Sequence, residues 1–226
     1  MKYIQKQPQP QLLIAWIHGK STDDDGNEQQ WNYKNMPADV RAATKKSLLR
    51  EQGGLCCYTG QRITADTSHI EHIKPQSECI GHEDTDYDNL VVAYPSSESG
   101  TPECAYGARK KDKWYKEELF VHPRRKDCEA RFRYRTTGKV IPANNADSAV
   151  AITIEKLRLD HPELEQMRKA AIVALDLEEL SEAKARRLMA AMNERDKDGN
   201  FRPFCFVIKQ ACEKYLKRFA QPKSKH

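Results

Sequence analysis

The chain contains no hydrophobic run long enough to cross a membrane. Its longest apolar stretch near the start is LLIAWI, from Leu12 to Ile17, whereas a transmembrane helix needs about 20 apolar residues. The first residues, MKYIQKQPQPQ, contain no apolar segment of the kind found in secretory signal peptides. These absences predict a cytoplasmic protein with no membrane partner.

The sequence also lacks an even set of cysteines and a strong charge of one sign. Seven cysteines are scattered from Cys56 to Cys212, which favours a reducing compartment over a disulfide framework. The 38 basic and 33 acidic residues leave a net charge of only +5. The distribution of charge is therefore more informative than its sum.

One segment is basic and contains interleaved aromatics: RKKDKWYKEELFVHPRRKDCEARFRYR, from Arg109 to Arg135. This pattern is compatible with a surface that contacts nucleic-acid phosphates. A solvated face with long basic side chains lying along the surface explains it as well. The segment alone leaves both interpretations open.

Turn and breaker residues divide the chain into an N-terminal arm (1–36), a central core (37–120) and a C-terminal region (121–226). The arm is expected to be irregular. In the core we predict a helix over 37–52, ended by Gly53-Gly54. After it we predict two short strands in LCCYTGQRI, strands in SHIEHIKP and NLVVAY, and a helix starting near residue 105.

The C-terminal region is predicted to be mostly helical. It opens with a hairpin, ARFRYRTTGKVIP, that turns at Thr137-Gly138. Apolar residues then recur at a spacing of about 3.6 residues. This spacing predicts four helices, near residues 147–157, 162–175, 181–193 and 203–219. The predicted fold class is α+β.

The stretch SHIEHIKPQS, residues 68–77, gathers two histidines and a glutamate within four residues. A neutral histidine can take a proton from water, which accelerates hydrolysis by about 10²–10⁴-fold. A carboxylate can hold a divalent cation against a phosphate. A single histidine on a strand is more often a surface or core residue with a hydrogen-bond partner, so the stretch needs a second motif.

That motif is present. Glu71-His72-Ile73-Lys74-Pro75 followed by Tyr87-Asp88-Asn89-Leu90-Val91 resembles the HNH endonucleases, which have a ββα-metal core. Together with GGLCCYTG and RFRYRTTGKV, these residues resemble the PtuB-type HNH nucleases of Septu and retron-associated anti-phage systems. The resemblance extends over most of the chain, from QPQP through the C-terminal helices.

The resemblance implies a role for each residue of the motif. His72 would be the general base, Glu71 a metal ligand, and Asn89 would orient the base or hold the hairpin. His69 shares a strand face with Glu71 and could be a second ligand or a catalytic neighbour, or could brace the hairpin. Strict alternation points Glu71 and His72 to opposite faces, so one shared site needs a strand that twists or ends early, as Pro75 would allow.

The chain departs from the family pattern at the metal. The helix after the second strand should supply a histidine or asparagine, and CAYGARKKDK has neither. The oxygen ligand could come from Asp88, Glu98, Asp112 or water. Such oxygen-rich ligation favours Mg²⁺ or Mn²⁺ over Zn²⁺.

A structural zinc is not expected. Many HNH proteins have a four-cysteine knuckle, but here Thr59 and Gly60 follow Cys56 and Cys57 at the spacing of a second cysteine. The four cysteines that could still meet in space are Cys56, Cys57, Cys79 and Cys104. Basic residues near the motif are predicted to hold substrate phosphates, or else to form a solvated face: Lys74, Arg109, Lys110, Lys111 and Lys113.

The sequence thus predicts a metal-dependent endonuclease that cuts DNA, or RNA such as tRNA, as the effector of an anti-phage system. The resemblance implies a PtuA-like ATPase partner and, in retron systems, a reverse transcriptase with its msDNA, docked on the C-terminal helices. Two alternatives stay open. One is a non-catalytic nucleic-acid-binding or adaptor subunit with a degenerate HNH site, and the other is a helical interaction protein.

Overall fold

A computed structural model describes residues 1–19, 31–97, 103–176 and 179–217. The α+β class is confirmed. The described elements, in chain order, are α1 (Gln11–His18), α2 (Ala38–Glu51), β1 (His69–His72), β2 (Leu90–Ala93), α3 (Ala108–Lys111), α4 (Cys128–Arg131), β3 (Phe132–Tyr134), β4 (Val140–Pro142), α5 (Ser148–Leu157), α6 (Pro162–Val173), α7 (Glu182–Ala191) and α8 (Cys205–Leu216). None of the described helices has the length and apolar character needed to span a membrane.

The strands form two separate antiparallel pairs. In the first, β1 pairs with β2, so that His69 lies opposite Ala93 and His72 opposite Leu90. In the second, β3 pairs with β4, as the RFRYRTTGKVIP pattern predicts. The turn of this second hairpin lies on α6: a Cβ atom at Gly138 would come within 1.9 Å of the Glu165 carbonyl oxygen, so only glycine fits there.

Helix α2 supports the first hairpin from behind. It follows Pro37 and is succeeded by Gly53 and Gly54, whose φ angles of 59° and 65° end the helix in the left-handed region as predicted. The side chain of Gln52 then donates to the Val92 carbonyl at 2.8 Å and accepts from the Val92 N–H at 2.7 Å. This pair of bonds satisfies the N–H and carbonyl groups of Val92 on β2, a strand that is buried along its whole length.

The N-terminal arm is not irregular throughout, and that prediction was wrong. Residues 11–18 form α1, which packs on α2, because LLIAWI places Leu13 at 0% exposure on an apolar face. Ahead of α1, Lys6 donates to Glu51 Oε1 at 2.7 Å and lies over the Tyr87 ring. Residues 1–19 of the arm therefore pack against the central core.

Two predicted elements of the core are shorter than expected. The hairpin in LCCYTGQRI reduces to a single antiparallel bridge between Leu55 and Arg62. The helix near residue 105 is only α3, because Gly107 before it and Asp112 after it have left-handed φ angles of 67° and 44°. The ββα-metal arrangement of these elements stays a prediction.

The four C-terminal helices α5 to α8 lie where the apolar spacing predicts them, except that residues 218 and 219 are outside the described part of the chain. Helix α8 contacts α7, α6 and β3. One cluster of buried side chains includes Met1, Val40 and Val150, and so contains residues from all three predicted regions. The boundaries at 36/37 and 120/121 stay predictions.

Candidate active site

The ionisable side chains of β1 lie on two opposite faces of the strand, and each face has different neighbours. His69 and Glu71 lie on one face, where His69 Nε2 is 3.5 Å from Glu71 Oε2. His69 Nδ1 contacts the carbonyl of Pro95, two residues after the end of β2. His72 is on the other face with Ile70. The strand alternates regularly, so Glu71 and His72 do not share one set of contacts.

Two partners in the chain hold the His72 ring at Nε2: the Asp84 backbone carbonyl and, at the longer distance of 3.5 Å, the Gln76 side-chain amide. The Nε2 atom of His72 lies 2.8 Å from the Asp84 oxygen, and its ring meets Tyr33 edge-on with centroids 4.5 Å apart. Because a carbonyl oxygen only accepts, the neutral imidazole must carry its proton on Nε2. Its Nδ1 atom then has a lone pair, and within the described chain no hydrogen bond occupies it.

Burial lowers the pKa of His72 below its usual 6.5, although the bond to Asp84 and the nearby Glu71 charge act in the opposite direction. The side chain is 7% exposed, and the charged form loses its hydration there. At neutral pH His72 is therefore an unprotonated imidazole with one free nitrogen. This is the form that a general base requires.

This pKa shift predicts the pH dependence of any reaction that uses His72 as a base. The rate should stay level below pH 6.5 and fall only as the pH drops through the lowered pKa. The Tyr33→Ala substitution uncovers the ring, so it should shift the acid limb of the pH–rate profile towards 6.5. A wild-type acid limb at or above pH 6.5 would contradict the assignment.

Glu71 is an anion held by three neighbours. Its Oε1 atom accepts from the Tyr58 hydroxyl at 3.1 Å and lies 3.0 Å from Lys111 Nζ. Burial on its own raises the pKa of Glu71, but the His69 hydrogen bond and the Lys111 charge outweigh it, so the pKa is lowered. Lys111 is only 1% exposed and also donates to the His72 carbonyl at 2.9 Å.

Asn89 closes the loop between β1 and β2. Its Oδ1 atom accepts from the Lys74 N–H at 2.8 Å, and its Nδ2 atom donates to the carbonyls of Lys74 and Glu83, both at 3.0 Å. Asp84, the residue after Glu83, supplies the carbonyl that orients His72. Asn89 thus acts on His72 indirectly, through the backbone of this loop.

Substitution of Asn89 should therefore destabilise the loop. Asn89→Ala leaves one N–H and two carbonyls without their partner, and we expect the free energy of unfolding to fall by about 1–3 kcal/mol. Urea denaturation measures this loss. Asn145→Ala, at an exposed asparagine, is the control and should be neutral. Equal stability of the two variants would exclude the bracing role.

Apart from Lys111, the other predicted ligand and phosphate-binding residues do not converge on Glu71. Asp88 is 54% exposed and pairs with Arg124 at 3.0 Å. Asp112 is exposed at the end of α3, and Glu98 lies outside the described residues. Of the basic residues, Lys74 pairs with Glu83, Arg109 donates to the Ser96 carbonyl, and Lys110 and Lys113 are exposed. Their roles, like that of the buried Lys111, stay predictions.

The donor set fits a cation only in part. Across residues 1–19, 31–97, 103–176 and 179–217, no three His, Cys, Asp or Glu side chains form a group that could hold a metal ion. Glu71 and His69 form a pair. Mg²⁺ commonly binds through one or two carboxylates and completes its shell with water and substrate phosphate. The pair supplies one carboxylate and one imidazole, so it fits a divalent cation only where water and substrate phosphate complete the shell, and it does not form a closed protein cage.

Three contacts at this site have no signal in the sequence: the Tyr33 ring on His72, the Asp84 carbonyl on Nε2, and the Lys111 ammonium on Glu71. Each joins residues from different parts of the fold. Spacing in the chain could identify the residue types of the motif, but it could not identify these partners.

Comparison with known proteins gives one informative similarity. No family model matches the chain. One curated protein is similar to the chain in sequence. It is the "Retron Vc95 putative HNH endonuclease" of Vibrio cholerae serotype O1 biovar El Tor, 29% identical over 142 residues. The alignment covers 60% of this chain and 66% of that protein, so the chain spans just under two thirds of its relative.

Proposed function

We propose that the chain is an HNH-type endonuclease that hydrolyses phosphodiester bonds in nucleic acid, with His72 as the general base. The observation that carries the proposal is the bond between His72 Nε2 and the Asp84 carbonyl, which leaves Nδ1 free on an uncharged ring. Similarity to the protein named "Retron Vc95 putative HNH endonuclease" supports the same reaction class.

In this mechanism His72 Nδ1 takes one proton from a water molecule. The water oxygen forms a bond to phosphorus, the bond from phosphorus to the leaving oxygen breaks, and the leaving oxygen takes up a proton from solvent. The Asp84 carbonyl keeps Nε2–H in place, which holds the ring in the tautomer that can accept. The carboxylate of Glu71, one residue away, favours the imidazolium that forms.

A divalent cation, Mg²⁺ or Mn²⁺, belongs to the proposal. Glu71 and His69 are the side chains that would hold it. When bound, it would neutralise charge on the phosphate and the leaving oxygen. Lys111 already contributes positive charge at the same carboxylate, and a second cation would have to share Glu71 with it.

We also propose that this nuclease is the effector of an anti-phage system and works with a PtuA-like ATPase. The word "retron" in the relative's name supports a retron context, in which a reverse transcriptase and its msDNA would be further partners. The protein would act in the cytoplasm. Restraint by partners would explain how a cell tolerates it.

A second candidate is a nucleic-acid-binding adaptor with a degenerate HNH site. The observation that favours it is the ion pair between Lys111 and Glu71, because the carboxylate that should hold a metal is already neutralised. The described residues also bring no third ligand to this carboxylate.

One experiment separates the two candidates. The chain is incubated with its ATPase partner, with Mg²⁺ or Mn²⁺, and with labelled duplex DNA, single-stranded DNA, single-stranded RNA and tRNA. Cleavage that EDTA abolishes would support the endonuclease. Binding without cleavage of any substrate, with the metal and the partner both present, would overturn it in favour of the adaptor.

A further inference from the structure

A second surface with clustered basic side chains is formed by the β3–β4 hairpin and helix α8. The outer face of the β3–β4 hairpin and helix α8 enclose a cavity of about 710 Å³, which we call the hairpin groove. Four cationic side chains line it: Arg133 and Arg135 from β3 and the turn, and Lys214 and Lys217 from α8 and its end. In the described chain, no hydrogen bond or ion pair joins a lining residue to the side chain of His72 or Glu71.

The strand and helix periods direct these four side chains to the groove. Phe132 is buried on the inner face of β3, so Arg133 points outward, paired across the hairpin with the half-buried Ile141. Lys214 and Lys217 are three residues apart, which puts them on one side of the helix. The groove therefore combines an apolar floor with a cationic rim.

Helix α8 and β3 are fixed to each other by one amide side chain. Gln210 Nε2 donates to the Phe132 carbonyl at 2.8 Å, and Gln210 Oε1 accepts from the Tyr134 N–H at 3.1 Å. The amide thus pairs with two backbone groups on the edge of β3 that does not hydrogen-bond to β4. The two walls of the groove are thus held together, and a ligand would meet a largely preformed surface.

The rim cations lack the acidic partners that neighbouring cations have. Arg131, two residues before Arg133, pairs with Asp147 at 2.7 Å, and Lys2 pairs with Glu129 at 3.1 Å. Within the described part of the chain, no ion pair involves Arg133, Arg135, Lys214 or Lys217. A solvated basic face would be expected to mix both charges, whereas only one acid, Glu213, lines this groove.

We propose that the hairpin groove binds the sugar–phosphate backbone of the nucleic acid that the candidate active site cuts. The inference rests on the proposed function. Arginine guanidinium groups match phosphate oxygens with two parallel hydrogen bonds, and the floor around Ile141 can receive the apolar faces of sugars or bases. The groove would anchor the substrate at a distance from the scissile bond and would add affinity without reading sequence.

The test replaces the rim cations by neutral side chains. Arg133→Gln, Arg135→Gln, Lys214→Gln and Lys217→Gln are combined in one chain, in a His72→Ala background and with EDTA present, so that cleavage does not disturb the binding measurement. Fluorescence anisotropy then measures affinity for labelled duplex DNA and single-stranded RNA at several salt concentrations. We expect at least 10-fold weaker binding. The log–log salt slope should flatten by about 0.9 per lost contact on the duplex and about 0.7 on the single strand.

Helix α7 provides a matched control. Lys184→Gln with Arg187→Gln removes two exposed cations that are also three residues apart on a helix, and this variant should bind like its parent. Thermal unfolding checks that all variants fold. Unchanged affinity and salt slope in the four-substituted chain would overturn the proposal, as would an equal loss of binding to polyglutamate, which would indicate an acidic protein partner instead.

The outcomes also separate this inference from the proposed function. If the wild type cuts nucleic acid but the groove variant binds as well as its parent, the groove proposal fails and the nuclease stands. If the groove variant loses binding but no substrate is ever cut, the groove binds nucleic acid as inferred, while the proposed nuclease function fails and the chain is the adaptor.

Discussion

Replacing His72 with alanine is expected to lower the rate of phosphodiester cleavage by about 10²–10⁴-fold, the usual contribution of a positioned base. The reason is geometric: Nδ1 is the one free nitrogen of a buried, uncharged ring whose Nε2 is tied to the Asp84 carbonyl. The rate is measured under single-turnover conditions with saturating enzyme, so that weaker binding does not contribute.

His18→Ala is the matched control, because His18 is an exposed imidazole at the end of α1, and it should cut at the wild-type rate. Added imidazole should partly restore the His72→Ala variant, since a free base can enter the space left by the ring. Cleavage by the His72→Ala variant at the wild-type rate would show that His72 is not the general base. Loss of activity accompanied by unfolding would be seen by circular dichroism.

Replacing Lys111 with methionine is expected to lower the free energy of unfolding by about 3–5 kcal/mol, the typical result of removing one partner of a buried ion pair. Lys111 is 1% exposed and bonds both the Glu71 carboxylate and the His72 carbonyl. Methionine retains most of the apolar volume, so the loss measures the charge and its hydrogen bonds. Urea denaturation at pH 7 determines it.

The double variant Glu71→Gln, Lys111→Met should recover part of this loss, because no buried charge is then left without a partner. Lys110→Met, at the exposed neighbouring position, should be close to neutral. If Lys111→Met is as stable as Lys110→Met, the ion pair does not stabilise the fold and the adaptor argument built on it weakens.

The ion pair between Glu71 and Lys111 also determines how the stability loss of the Lys111→Met variant changes with pH. In the wild type the lowered pKa of Glu71 adds stability above its unfolded value near 4.5, and that stability is lost as the pH falls. Without Lys111, burial raises the pKa of Glu71 instead. The Lys111→Met deficit should therefore be largest at pH 7 and should shrink as the pH falls and Glu71 takes up a proton.

The sequence by itself determined the local elements and the chemistry of the motif. The period of two in SHIEH already separates His69 and Glu71 from His72, and Gly53, Gly54 and Gly138 mark chain reversals that the structure contains. These features depend on backbone geometry over a few residues, which the local sequence controls. The same local rules predicted α5 to α8 closely, because each has a strong apolar period.

Only the tertiary structure decided which groups surround the motif. Lys111 looks like a surface cation in RKKDK, yet it is buried against Glu71 because Gly107 and Asp112 cut α3 to four residues and direct this side chain into the core. Residues 11–18 of the arm form a helix because α2 packs against their apolar face, which includes the buried Leu13. Contacts such as Tyr33 on His72 and Gln210 on β3 join residues far apart in the chain, and such contacts depend on how all the elements pack at once.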